Sequence, residues 1–302
     1  MQSFWLIVQL LVCIWIGYAG LAKLPQQVKS YALRILPYFS YILLVAIAYE
    51  FSEIFQSLKT PYTLLSTGIG IAFATSLGAF LCCYLFFKWA GQPPSSGKVS
   101  SDLVLKSLLN ISHAFICLAL GYALYQCTQH FSFELQLSTW HLLLVFMVLI
   151  GLDLAQFPLD RSWFNLKIVL VPLSCVIGSI LGIVVYGYFQ TKLSFHDLLI
   201  LSQGYGFYSM SSILVSELRH PELGSIALIN DLFREIFAIL LMYSLGWRYP
   251  RSAISSAGAT AMDVTLPMVK QACGNHYIPA AMVSGFVLSL LAPIAISLLA
   301  AL

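Results

Sequence analysis

Charge is what this sequence has little of. Only 9% of its 302 residues are charged and 60% are hydrophobic, whereas an ordinary soluble domain is about 25% charged. Fifteen Lys+Arg and twelve Asp+Glu cannot furnish the polar shell of a water-soluble domain of this length. Disorder is excluded by the same figures, because it requires low hydrophobicity and high charge. Cysteine is sparse as well. The seven cysteines (Cys13, Cys82, Cys83, Cys117, Cys127, Cys175, Cys273) lie in apolar runs without a C-x-x-C spacing, which excludes a disulfide scaffold and argues against a thiolate metal site. The six histidines are scattered, and no Walker or Gly-x-Gly-x-x-Gly pattern precedes a helix. No metal, nucleotide or other cofactor is therefore expected. A net charge of +3 spread over short loops gives no nucleic-acid surface.

What the sequence does have is long apolar runs. Eight are evident, over residues 4–22, 31–49, 64–89, 104–127, 138–156, 167–190, 224–245 and 277–302. About 20 residues at 1.5 Å each cross a hydrocarbon core of about 30 Å. The chain reads as an all-α polytopic membrane protein, with the lipid bilayer as its solvent. The first run has no basic segment before it, so it reads as a retained helix, not a cleaved signal.

Two further segments, 198–217 and 252–270, are apolar but interrupted by Gly/Ser-rich stretches. Glycine in a helix interior costs about 1 kcal/mol relative to alanine, so these are breaks. As re-entrant hairpins they leave eight spans; as crossing segments they make ten. The lysines and arginines of the odd loops (Lys23, Lys29, Arg34; Lys88, Lys98, Lys106; Arg161, Lys167) place those loops in the cytoplasm. Either count puts both termini outside, and the basic-residue balance leans to eight spans with hairpins entering from opposite sides. A Gly/Pro/Ser linker at 91–103 divides a three-helix bundle, 1–90, from a transport region, 104–302. The helix ends Leu43–Glu50 and Val148–Asp153 resemble each other across three spans, which is the pattern of an inverted repeat.

Charges within a membrane cost roughly 2.5–3.5 kcal/mol each on insertion scales and so mark pathways or partners. Asn230-Asp231-Leu232-Phe233-Arg234-Glu235 falls inside the seventh run. Asp231 and Arg234, three apart, are expected to pair, which leaves Glu235 as a surplus acid. Asp263 follows the small residues 257–261 and precedes Pro267, where no regular helix can continue. An acid at a helix break is a usual cation site in transporters, though it also suits a helix cap. The run Gln203-Gly204-Tyr205-Gly206-Phe207-Tyr208-Ser209-Met210-Ser211-Ser212 offers hydroxyls and rings for a polar pocket wall and for cation–π contact with an ammonium. Glu50 and Asp153 are expected to be solvated helix-end acids.

The strings Ser202–Ser209, Ile229–Glu235, Gly258–Pro267 and Ile278–Ala281 with Ser284-Gly285-Phe286 resemble the C-terminal part of bacterial lysine exporters of the LysO type. The family more distantly resembles cation–proton antiporter and bile-acid transporter folds. Two departures are mild: Phe207 stands where a Trp is expected, and Ala46-Ile47-Ala48 lacks an expected glycine. The resemblance implies an inner-membrane exporter of L-lysine and its analogue thialysine, working by proton antiport, with Glu235 and Asp263 as its intramembrane acidic pair. Together with the residues read directly, the expected substrate- and proton-binding set is Glu235, Asp263, Asp231, Arg234, Asn230, Gln203, Tyr205, Ser209, Ser211 and Thr260. Sodium in place of the proton, another amino acid or small cation as substrate, and a homo-oligomer stay open. An intramembrane aspartyl protease would need Asp153 and Asp263 apposed, and neither lies in the Gly-x-Gly-Asp setting of such enzymes. An enzyme is therefore not expected.

Overall fold

The computed structural model describes residues 2–20, 25–57, 61–90, 101–131, 138–156, 165–190 and 193–302. The described residues are helical throughout, with no strand. The long helices are α1 (Gln2–Trp15, continued by a π turn to Gly20), α2 (Gln26–Ser57), α3 (Pro61–Ala90), α4 (Ser101–His130), α5 (Thr139–Gln156), α6 (Leu166–Phe189), α9 (Pro221–Leu245) and α12 (Ile278–Ala301). They fall on the eight apolar runs, and the protein is an all-α polytopic membrane protein. Four stretches, Lys29–Ser52, Tyr62–Trp89, Leu166–Phe189 and Asn275–Ala301, are long and apolar enough to cross a bilayer on composition alone. Helix α9 is as long but carries Asp231, Arg234 and Glu235 near its middle.

Helix α6 shows how such a sequence packs. Leu173, Ile177, Leu181, Val184 and Val185 form one exposed apolar stripe, the face a lipid solvent requires. The opposite face carries Gly178 and Gly182, where added Cβ atoms would come within 2.4 Å of Gly78 O and 2.2 Å of Ala74 O. Small residues thus let α3 and α6 approach backbone to backbone, as membrane helices without a hydrophobic driving force must. Helix α3 lies mainly against α6 and α9, whereas α1 packs on α5 and α12, and α2 on α4 and α5. Most of the linker, 91–100, lies outside the described residues, as do Lys23, Lys59, Arg161 and Lys192 of the loops.

The two interrupted segments are hairpins. In the first, α7 (Phe195–Leu201) and α8 (Tyr208–Leu218) are joined by a break at 202–207. Ser194 caps α7 by accepting the Asp197 N–H. Arg219, at the end of α8, pairs with Asp197, at the start of α7, at 2.9 Å, so both ends of the segment lie together. In the second, α10 (Pro250–Ala257), a 3₁₀ stretch (Gly258–Met262), the short α11 (Leu266–Met268) and a π turn (Val269–Cys273) return the chain to where it began. There Cys273 Sγ lies 3.9 Å from Pro250 O. The mouth of the first hairpin adjoins the start of α9 and that of the second adjoins its end. Twenty-five residues of helix separate them by roughly 37 Å, so the hairpins enter from opposite ends and neither runs through the fold.

Their tips meet. The Ala259 N–H donates to Tyr205 O at 2.9 Å. Tyr205 holds φ +52° and Gly258 φ +65°, and a Cβ on Gly258 would stand 2.3 Å from Tyr205 O, so only glycine allows this approach. Asp231 fastens the first tip. Its carboxylate accepts from the Gly206 N–H at 3.1 Å and the Asn230 amide at 3.0 Å, and from the Ser211 hydroxyl. Gly204 leaves the space: a Cβ there would lie 2.0 Å from Asp231 Oδ2.

Two measurements test this architecture. An impermeant thiol reagent should label Phe195→Cys and His220→Cys from one side of the membrane, and Arg248→Cys and Lys270→Cys from the other. Labelling of the two ends of one segment from different sides would show that it crosses. Gly204→Ala should lower the melting temperature in detergent, at a cost of about 1–3 kcal/mol for overpacking. Gly20→Ala, whose nearest neighbour would be 3.9 Å away, should not. Equal melting of the two would remove the Asp231 clamp from the account.

Candidate functional site

Helix α9 distributes its polar residues by face. Pro221 starts it and His220 caps it, the imidazole Nδ1 accepting the Leu223 N–H at 3.2 Å. Ten residues in, Asn230 donates to Leu201 O at 3.0 Å and Asp231 grips the first hairpin. One turn on, Glu235 shares the Asp231 side of the helix, because residues four apart lie one above the other. Arg234 points elsewhere, toward α6, donating to Ser179 Oγ at 2.9 Å and Cys175 Sγ at 3.1 Å. Its guanidinium also lies 5.7 Å from the Tyr205 ring centre.

The expected Arg234–Asp231 salt bridge is therefore absent. Among the described residues the one ion pair is Arg219–Asp197. Asp231 gets its hydrogen bonds from the hairpin tip, while the long arginine side chain reaches across to α6. Arg234 is wholly buried, and its Nε and Nη1 have no partner among the described residues.

Below the crossing of the tips lies a cavity of about 250 Å³. At about 30 Å³ per water it holds roughly eight waters, or one amino acid. Its wall comes from α2 (Leu36, Ser40, Tyr41), α4 (Ala114), α5 (Phe146, Ile150, Asp153), α9 (Glu235) and α12 (Ser289), and from both hairpins: Gly206, Phe207, Tyr208 and Ser209 of the first, Ala259, Thr260, Met262, Asp263 and Val264 of the second. Among the described residues three acids line it and no Lys, Arg or His does. Glu235 is 4% exposed, and its carboxylate has no hydrogen-bond partner among the described residues. Asp263 accepts only its neighbour's amide, Val264 N–H. It does not cap the following helix, whose cap position is Thr265 with no side-chain bond. The charges of Glu235 and Asp263 act on each other, and those of Asp263 and Asp153 do too.

A second polar feature faces the acids. Helix α8 begins at Tyr208 with no side-chain cap. The Tyr208 and Ser209 amides find no backbone acceptor among the described residues, and both residues line the cavity, so the positive end of the helix points at it.

Of the expected set, Glu235, Asp263, Ser209 and Thr260 come together on the cavity wall. Asp231, Asn230, Gln203, Tyr205 and Ser211 instead build the hairpin tip. The Gln203 amide donates to Ser202 Oγ at 2.6 Å, and its carbonyl accepts the Tyr205 hydroxyl. Asp153 and Glu50 are not the solvated helix-end acids expected. Asp153 is half-buried on the cavity wall, and Glu50 accepts the Thr139 hydroxyl at 2.5 Å. Asp153 and Tyr41 are cavity residues that the sequence alone does not place there, whereas Tyr208 belongs to the run expected to wall a pocket. An acid three residues from the end of an apolar helix looks like an ordinary boundary residue until the fold turns that end inward.

Comparison with known proteins agrees with this geometry. The family model described as lysine exporter LysO matches residues 114–300, the stretch that holds both hairpins, α9 and α5. The lysine exporter LysO of Escherichia coli K12 is 39% identical over 165 residues, covering 53% of each chain. A putative lysine exporter of Haemophilus influenzae Rd is 31% identical over 159 residues, covering 52% of this chain and 81% of that one. The chain thus spans about half the length of the E. coli relative in this match. No solved structure matches it. With a family model covering well over half the chain, and with the paired hairpins and cavity acids inside the matched region, the protein belongs to the lysine exporter LysO family.

Proposed function

We propose that this protein exports L-lysine, and analogues such as thialysine, from the cytoplasm across the bacterial inner membrane in exchange for protons. The observation that carries this reading is the acidic cavity where two hairpins entering from opposite ends meet. Among the described residues its wall bears carboxylates and no base, so it favours a cation. The names of the two relatives supply the substrate.

Lysine carries two ammonium groups and one carboxylate. Glu235 and Asp263 face the cavity with few hydrogen bonds of their own and take ammonium. The free amides at the start of α8 take the substrate carboxylate, as helix N-termini do for anions. Leu36, Ile150, Met262 and Val264 provide an apolar wall for the methylenes. Two carboxylates facing one cavity repel each other unless a cation or a proton intervenes. Lysine and protons therefore compete for the same pair, and competition of this kind is the simplest basis for exchange. The basic residues of the odd loops support an orientation with the mouth of the second hairpin in the cytoplasm and that of the first, with both termini, outside.

The test is lysine uptake and counterflow in proteoliposomes under imposed proton or sodium gradients. Wild-type protein should respond to the proton gradient. Glu235→Gln and Asp263→Asn should each lower the rate at least tenfold while eluting normally in detergent. Wild-type rates in both variants would remove the pair from the mechanism. A response to sodium alone would replace the coupling ion.

A further inference from the structure

Resting on the function proposed above, the geometry points to Asp153 as a third substrate-binding carboxylate, which takes the side-chain ammonium of the diamino acid while the Glu235–Asp263 pair takes the α-ammonium.

Asp153 lines the same cavity from α5. It makes no hydrogen bond or ion pair among the described residues. Helix α5 gains nothing locally from it. It sits in the last turn of Thr139–Gln156, where the negative end of the helix disfavours a carboxylate. An acid held there against the helix dipole, half-buried and facing a cavity, needs an external cation to compensate it. The cavity also holds Glu235, which is almost wholly buried and equally without a partner. The lining therefore has more carboxylates than the polar groups around it satisfy.

Placing the substrate uses all of them. The carboxylate of lysine belongs at the Tyr208 and Ser209 amides. The α-ammonium, one carbon away, then falls to the acids on that side, Glu235 and Asp263. The side-chain ammonium lies about 6 Å from the α-carbon in an extended chain, by standard bond lengths. Helix α5 supplies Ile150 and Phe146 for the methylenes and Asp153 for the charge. An amino acid with a single ammonium leaves Asp153 uncompensated. The third acid thus selects cationic side chains, while the pair remains free to exchange its cation for protons.

The test uses the full chain in proteoliposomes. Asp153→Asn should raise the KM for lysine about tenfold with kcat within twofold of wild type, and Asp153→Glu should restore most of the affinity. The preference for lysine over 2-aminohexanoate, which is lysine without its side-chain amine, should fall at least fivefold in competition with labelled lysine. An unchanged KM, a loss of kcat with KM intact, or equal weakening of lysine and 2-aminohexanoate would each overturn the assignment. Glu235→Gln measured alongside separates the two readings. If that variant is dead and Asp153→Asn behaves as wild type, only the third acid is wrong. If Glu235→Gln exchanges normally, the proposed function falls with it.

Discussion

The fold hangs on the meeting of two chain breaks. In a bilayer, backbone N–H and C=O groups cannot be left to water, so irregular chain survives only where protein or a wet cavity satisfies it. Here each break satisfies the other. Ala259 N–H of one tip donates to Tyr205 O of the other, and Gly258 makes the approach sterically feasible. The first tip is then fixed from the side by Asp231 on α9, whose carboxylate collects donors that the broken helix leaves free. A buried charge would ordinarily be a liability. This one is held by three hydrogen-bond donors, and the hairpin it holds is the roof of the cavity.

Helix α9 separates tip-binding from cavity-facing charge by angle alone. Each residue advances 100° around the axis, so Asp231 and Glu235 share a side one turn apart, while Arg234 is swung off it. Asp231 meets the tip, Glu235 meets the cavity beneath it, and Arg234 meets Ser179 and Cys175 of α6. Three consecutive polar roles on one helix need no separate machinery. They follow from the spacing 231, 234, 235 and from which helix each face touches.

Much of this was legible in the residues. The eight runs, the two breaks and the surplus acids Glu235 and Asp263 all follow from hydropathy, glycine and the cost of burying charge. The reading went wrong where a side chain had a choice of partner. Asp231 and Arg234 are three apart on a helix and free to pair in isolation, but α6 and the hairpin tip supply other donors and acceptors, and tertiary contacts outweigh a local ion pair worth a few tenths of a kcal/mol. Gln203 and Tyr205 look like pocket residues by composition, yet they bond to each other inside the tip. Asp153 was missed for the opposite reason. Nothing in an apolar helix says which way its last turn faces.

The cavity wall is drawn from two differently packed sets of helices: α2, α4 and α5 on one side, α9 and the hairpin tips on the other. The acids are divided the same way, Asp153 on the first set and Glu235 and Asp263 on the second. Under the proposed exchange this division has a consequence. Opening the site to the other side of the membrane requires one set to move against the other, since each hairpin blocks one route. A ligand can favour such a change only by binding the two arrangements unequally. A substrate bridging Asp153 and the pair touches both sets at once and is sensitive to their separation, whereas protons on the pair touch only one. The outward and return steps would then differ in what spans the boundary, so the site can tell a loaded carrier from an empty one by charge alone.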